Sequence, residues 1–125
     1  MVDITEERRK IRDGTYPSRI IQGRQNKHIQ GTKQFEQNRE KMQKIGSAPA
    51  ILQADAQSLV EKYKATGNIY FAKSSPEYPR EDIDTKQVIG KTWDRKKGEY
   101  IDATIITIAY SKTGTHVFPN NYVRR

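Results

Sequence analysis

The sequence predicts an α+β protein, with N-terminal helices packed on an antiparallel β-sheet in meander order. Three observations lead there. Between residues 32 and 63 the apolar side chains recur at helical spacing. From Asn68 onward the pattern changes to short runs of β-branched and aromatic residues. Turn-forming clusters then separate those runs at Asp94-Arg95-Lys96-Lys97-Gly98, Ser111-Lys112-Thr113-Gly114 and Pro119-Asn120-Asn121. A chain of 125 residues makes one domain, and it buries roughly two-thirds of its unfolded surface in a single core.

The elements follow in order. Asp3, with Glu6 three residues on, forms a capping box that opens a short helix from Ile4 to Arg12, stopped at Gly14. Its only apolar side chains are Ile4 and Ile11, so it is expected to bury little. Residues 15–27 read as an extended arm, and residues 1–25 as a leader or linker to a domain spanning 26–125. Thr32 caps a helix from Lys33 to Ile45, in which Phe35, Met42 and Ile45 fall near one face and Gly46 ends it. Pro49 makes residues 47–50 a turn. The clearest amphipathic helix follows Asp55. There Ala56, Leu59, Val60 and Tyr63 occupy i, i+3, i+4 and i+7, and Gly67 lies past the end. Ile69–Ala72 is a first strand, residues 74–84 with two prolines a loop, and Val88–Trp93 a second strand. The Asp94–Gly98 hairpin leads to the stretch Glu99–Tyr110, which holds the strongest strand, and Thr115–Phe118 is the last. No internal repeat or low-complexity tract interrupts this order.

Composition narrows the function. The formal charge is +8 with no cysteine. Residues 1–45 carry eleven Lys/Arg against six Asp/Glu, and the remainder twelve against nine. A positive field favours a polyanion such as RNA or an anionic surface, though it also fits a merely soluble basic protein. Thiolate chemistry, disulfides and cysteine-based zinc cages are excluded, and two lone histidines without clustered carboxylates make a poor transition-metal site. A hydrophobic fraction of 34% and a mean hydropathy of -0.95 leave room for a poorly packed arm. No apolar run of about 18 residues spans a membrane. The polar, acidic start is unlike a signal peptide, so export is expected by another route or within a larger protein.

Each of the two histidines stands near a Gly-Thr pair: His28-Ile29-Gln30-Gly31-Thr32 and Gly114-Thr115-His116. Histidine titrates nearest neutrality, so the pair can take and return protons. RNA cleavage needs a base for the 2′-hydroxyl, an acid for the leaving oxygen, and donors at the phosphate. His28 and His116 fill the first two roles in either order. Lys27 and Lys112 supply charge, and Thr32, Ser111, Thr113 and Thr115 supply hydroxyls. Tyr110 can donate to a phosphate oxygen or stack on a base. The scheme needs no metal and no cofactor. Simpler readings stand beside these: Thr32 as an N-cap, Gly31 and Gly114 as turn formers, Trp93 as core, and Arg95-Lys96-Lys97 as a solvated hairpin tip.

These segments resemble the polymorphic toxin type 50 domain, a family of predicted bacterial ribonuclease toxins. Lys27-His28-Ile29-Gln30-Gly31-Thr32 is similar to its opening motif. Asp55, Gln57-Ser58-Leu59-Val60-Glu61-Lys62-Tyr63 and Gly67 resemble its middle. Val88-Ile89-Gly90 with Gly98-Glu99-Tyr100 resembles its strand region, and Tyr110 through Pro119 its closing motif. The resemblance covers about residues 26 to 119 in order. It implies a fold of the barnase, EndoU, colicin and RelE type and metal-independent RNA cleavage. It also implies a place at the C-terminus of a larger secreted toxin or of a phage head-morphogenesis protein, and a cognate immunity protein for toxin forms. By motif position His28, Thr32, Tyr110, Ser111, Thr115 and His116 inherit the active-site role, with Thr104 carried by its place in the preceding strand. The family commonly has a histidine just before the closing Tyr-Ser, where this chain has Ala109.

The expected function is therefore an endoribonuclease toxin domain acting on RNA, delivered into a target-cell cytoplasm within a larger protein, or virion-associated. The alternative is a non-catalytic nucleic-acid-binding or assembly module of a phage protein. ADP-ribosyl transfer would require a glutamate near bound NAD, and no Glu stands in either motif.

Overall fold

The computed structural model describes residues 3–124. Helix α1 (Ile4–Asp13) is capped by the Asp3 carboxylate on the Glu6 amide and ends at Gly14 in the left-handed region, φ 83°. As its composition indicates, it buries a single side chain. Ile11 is fully buried, and Tyr16 just beyond the helix joins the same apolar cluster. The expected extended arm contains a short helix, α2 (Gln22–Gln25), and a 3-10 turn over Asn26–His28. Helix α3 (Lys33–Gln43) is capped by Thr32 as the sequence indicates, but its stripe is only partly used: Phe35 is buried while Ile45 is exposed. Helix α4 (Ala56–Tyr63) buries Ala56, Leu59 and Val60. Its chain turns at Ala65, φ 65°, before Gly67 is reached. Gly67 has a different role, because a Cβ there would lie 2.4 Å from the Asp82 carbonyl oxygen.

The strands form two antiparallel sheets instead of one meander. The larger has the order β2 (Asn68–Ala72), β3 (Ser75–Asp84), β6 (Ile105–Tyr110), β7 (Thr115–Asn120). The smaller has the order β1 (Ile51–Leu52), β4 (Gly90–Asp94), β5 (Glu99–Ala103). Two expectations fail here. The segment 74–84, read as a loop, is the ten-residue strand β3, which pairs with both β2 and β6. Its prolines avoid the ladder: pairing to β6 begins at Arg80, after Pro79, and the register to β2 shifts between Tyr70 and Ala72. Its acidic residues are satisfied inside the protein. Glu81 accepts from the Ala65 amide at 2.8 Å, the Gly67 amide at 2.6 Å and the Tyr110 hydroxyl at 2.6 Å. Asp82 accepts from the Tyr70 and Thr107 hydroxyls and the Arg124 amide. Buried carboxylates without such donors would be costly. The second concerns the stretch 99–110, which holds two strands instead of one. It breaks at Thr104, so that β5 serves the small sheet and β6 the large one.

Alternation then sorts the faces of the large sheet. Ile69, Ile83, Ile106, Ile108, Tyr110 and Val117 share one core with Ile11, Leu59 and Val60. The opposite face carries the cross-strand row Arg80, Ala109, His116, followed by Phe118.

Candidate active site

Strand β7 is an edge strand, and the segment between α1 and α3 completes its edge. The Ile21 amide donates to the Thr115 carbonyl at 2.8 Å, and the Thr115 amide to the Arg19 carbonyl at 2.9 Å. One step on, the Gln25 side chain replaces a peptide unit. Its Oε1 accepts from the Val117 amide and its Nε2 donates to the Val117 carbonyl, both at 2.7 Å. Gln25 is itself 1% exposed. This clamp holds α2 and the 3-10 turn against β7, and so brings together histidines 88 residues apart in sequence.

The His28 and His116 rings lie nearly parallel, 6° apart in plane, with centroids 6.2 Å apart. Phe118 packs against both, at 5.1 Å from His28 and 5.7 Å from His116. His28 Nδ1 is 3.0 Å from the Ala50 carbonyl oxygen. A carbonyl only accepts, so Nδ1 carries the hydrogen and the lone pair of the neutral ring lies on Nε2. His116 Nδ1 is buried without a hydrogen-bond partner. Both rings resist protonation. For His28 burial is the main cause, partly offset by Ala50. For His116 burial again leads, and His28, Arg24, Arg80 and Lys27 add repulsion, bringing its pKa down to about 4.

His116 opens on a cleft of about 350 Å³ lined by Arg24, Lys27, Tyr78, Arg80, Ala109 and Ser111, among others. The cations come from both sides, Arg24 and Lys27 from the α2 segment and Arg80 from β3. Glu77 is the one acidic residue in that lining. His28 is not in the lining; it stands against His116 and Phe118. Sequence reasoning missed Arg24, Arg80 and Gln25. Arg24 was legible, because it precedes His28 by one helical turn with Lys27 between them. Arg80 was not, since it lies in the segment mistaken for a loop.

The structure brings His28, Lys27, Tyr110, Ser111 and His116 into one region but commits most of the hydroxyls elsewhere. Tyr110 donates inward to Glu81. Thr115 is fully buried and donates to the Ala109 carbonyl at 2.7 Å. Thr32 caps α3 and faces the Asn26 and Ile29 carbonyls. Ser111 donates to the Gly114 carbonyl and shapes the β6–β7 turn. Lys112 and Thr113 are exposed on that turn, outside the cleft lining. Thr104 sits at the far end of β6, at the break from β5, with its carbonyl bonded to Thr85. Among the described residues no group of three or more His, Cys, Asp or Glu could hold a metal ion.

Residues 20–119 match the family model described as bacterial toxin 50. The chain belongs to the bacterial toxin 50 family. It is thus a bacterial toxin domain of the polymorphic-toxin kind, and both histidines, Gln25 and all three cleft cations fall within the matched span of the toxin 50 domain. No curated protein matches the chain. No helix among the described residues is long and apolar enough to cross a membrane.

Proposed function

We propose that this toxin 50 domain is an endoribonuclease that cleaves RNA by histidine acid–base chemistry, without a metal ion. The supporting observation is the parallel His28–His116 pair beside a cleft carrying Arg24, Lys27 and Arg80. A phosphodiester in that cleft meets three cations able to stabilise charge developing in the transition state. Neutral His116 takes the proton from the 2′-hydroxyl. The 2′-oxygen forms a bond to phosphorus while the bond to the 5′-oxygen breaks, and that oxygen takes a proton from His28. The products are a 2′,3′-cyclic phosphate and a 5′-hydroxyl, with the two histidines left in exchanged protonation states. Two imidazoles this close carry at most one proton readily, which separates the base from the acid. The Ala50 carbonyl favours the charged form of His28, the ring assigned as acid. The anionic substrate raises the proton affinity of both rings on binding. In this reading the domain is delivered into a target cell, and a cognate immunity protein protects the producer by covering the cleft.

The test is incubation of the pure domain with total RNA in EDTA, beside His28→Ala, His116→Ala and Arg80→Ala variants. Cleavage by the parent is expected to fall by about a hundredfold or more in either histidine variant, the usual contribution of a general acid or base. One observation favours a second reading. Ala109 leaves the central position of the Arg80–Ala109–His116 row without a titratable group. A binding or phage-assembly module would retain RNA in a salt-sensitive manner and leave it uncut.

A further inference from the structure

Phe118 stands on the face of the large sheet away from the main core, and the core cluster does not include it. Alternation along β7 puts its half-buried ring on the same side as His116, two residues earlier. The three aromatic or cationic groups it meets among the described residues all belong to the candidate site. His28 is stacked on it at 5.1 Å and 26°, and His116 is tilted against it at 5.7 Å and 32°. The Arg80 guanidinium stands over the same ring, 5.7 Å from its centroid. These groups come from separate elements, the 3-10 turn, β7 and β3. Arg80 reaches toward β7 across Ala109, whose methyl is the only side chain between Arg80 and His116 in their cross-strand row. Among the described residues Arg80 makes no ion pair. A ring face holds a guanidinium without using its N–H donors, which stay available to a phosphate oxygen.

The geometry points to Phe118 as the positioning residue of this site: one ring keeps the two imidazoles parallel and holds the Arg80 guanidinium at the cleft. A flat π surface is what this requires. Ring packing sets the tilt of each imidazole, and the cation–π contact sets where the guanidinium lies over the sheet. An aliphatic side chain would fill the space and fix neither. The inference rests on the cleft's taking a phosphodiester, as in the nuclease reading, but its test reads proton affinity and phosphate binding and not cleavage.

The whole domain is compared with Phe118→Leu, which keeps an apolar side chain but removes the π face, and with Phe118→Tyr, which keeps the ring. Thermal unfolding establishes that each variant is folded. Imidazole C2–H resonances then follow the two histidines through a pH titration without phosphate, and the same resonances report the binding of added inorganic phosphate at neutral pH. The charged and titratable groups that act on His116, namely His28, Arg24, Arg80 and Lys27, are the same in all three proteins. In Phe118→Leu the His116 midpoint should rise from about 4 toward the ordinary 6.5, because the ring pair opens to water. Phosphate should bind that variant about tenfold more weakly, the weight of a desolvated cation–π contact. Phe118→Tyr should keep both parent values. In the parent itself the Arg80 Nε–H resonance should lie upfield, shielded by the ring beneath it. A folded Phe118→Leu that leaves either signal unchanged overturns the positioning role, as does a Tyr variant that behaves like Leu. If Phe118→Leu does not fold, an unshifted Arg80 Nε–H in the parent overturns it alone. A parent that binds no phosphate removes the cleft reading and this inference with it. A parent that gives all three signals and leaves RNA uncut overturns only the nuclease reading.

Discussion

At the scale of single residues, His116 couples the site to pH. Unfolded, its ring takes a proton near 6.5; folded, it does so only near 4. Between those values the unfolded chain binds the extra proton, so stability falls as the solution is acidified. This ring's contribution is complete above pH 6.5 and lost by about pH 4, on the order of 3 kcal/mol. His116→Gln should therefore flatten the slope of unfolding free energy against pH across that window, as measured by urea titrations at several pH values. On the proposed mechanism the same shifts would set the activity profile. With His116 neutral only above about pH 4 and His28 charged only below its lowered value, kcat/KM should be bell-shaped. Its optimum should lie on the acid side of 6.5, the ordinary histidine value. A plateau extending above neutrality would contradict the assignment of His28 as acid. Arg80 and Arg24 contribute to this behaviour, since their charges both depress His116.

At the scale of elements, the decisive contact is the docking of α2 on β7. The Gln25 amide makes two bonds to Val117 in a buried setting. Gln25→Leu keeps the approximate volume but leaves the Val117 amide and carbonyl unpaired. Such groups cost about 1–3 kcal/mol each, so the variant should lose at least about 2 kcal/mol in denaturant unfolding. It should also lose turnover beyond that loss of stability, because His28 and His116 sit on the two elements the amide joins. Gln25→Glu, which retains the acceptor but not the donor, should fall between the two. Strand β3 shows how local pattern can mislead. Ser-Ser-Pro-Glu-Tyr-Pro-Arg-Glu-Asp looks like solvated loop, yet Glu81 and Asp82 are buried because backbone amides and hydroxyls from three other segments converge on them. Nothing within nine residues of sequence announces those donors. Helix α4 is the opposite case. Its apolar spacing and Asp55 cap are local, and the structure follows them closely.

At the scale of the whole molecule, the N-terminal segment belongs to the core that supports the site. Ile11 is fully buried among residues of α4 and the large sheet, and Tyr16 packs edge-on against Tyr78 and at a tilt against Tyr110. Ile11→Ala should cost about 2–5 kcal/mol, the usual range for a buried aliphatic truncated to a methyl, and thermal unfolding will read it. A merely appended leader would show no such loss. The positive charge is likewise organised by folding: three cations drawn from residues 24, 27 and 80 face one cleft, although the sequence spreads its charge along the chain.

What the sequence by itself determined is the α+β class, the capped helices α1, α3 and α4, the Asp94–Gly98 turn, and the two histidines as the pair to watch. These depend on caps, helical periodicity, turn chemistry and the proton affinity of imidazole, all legible within a few residues or in a single side chain. Only the tertiary structure decided the division into two sheets, the strand identity of β3, and the entry of Arg80 and Gln25 into the site. It also decided that Tyr110, Thr115 and Thr32 spend their hydroxyls on the scaffold. Those outcomes depend on hydrogen-bond partners far away in sequence, and a buried polar group is placed by whichever distant donor or acceptor satisfies it.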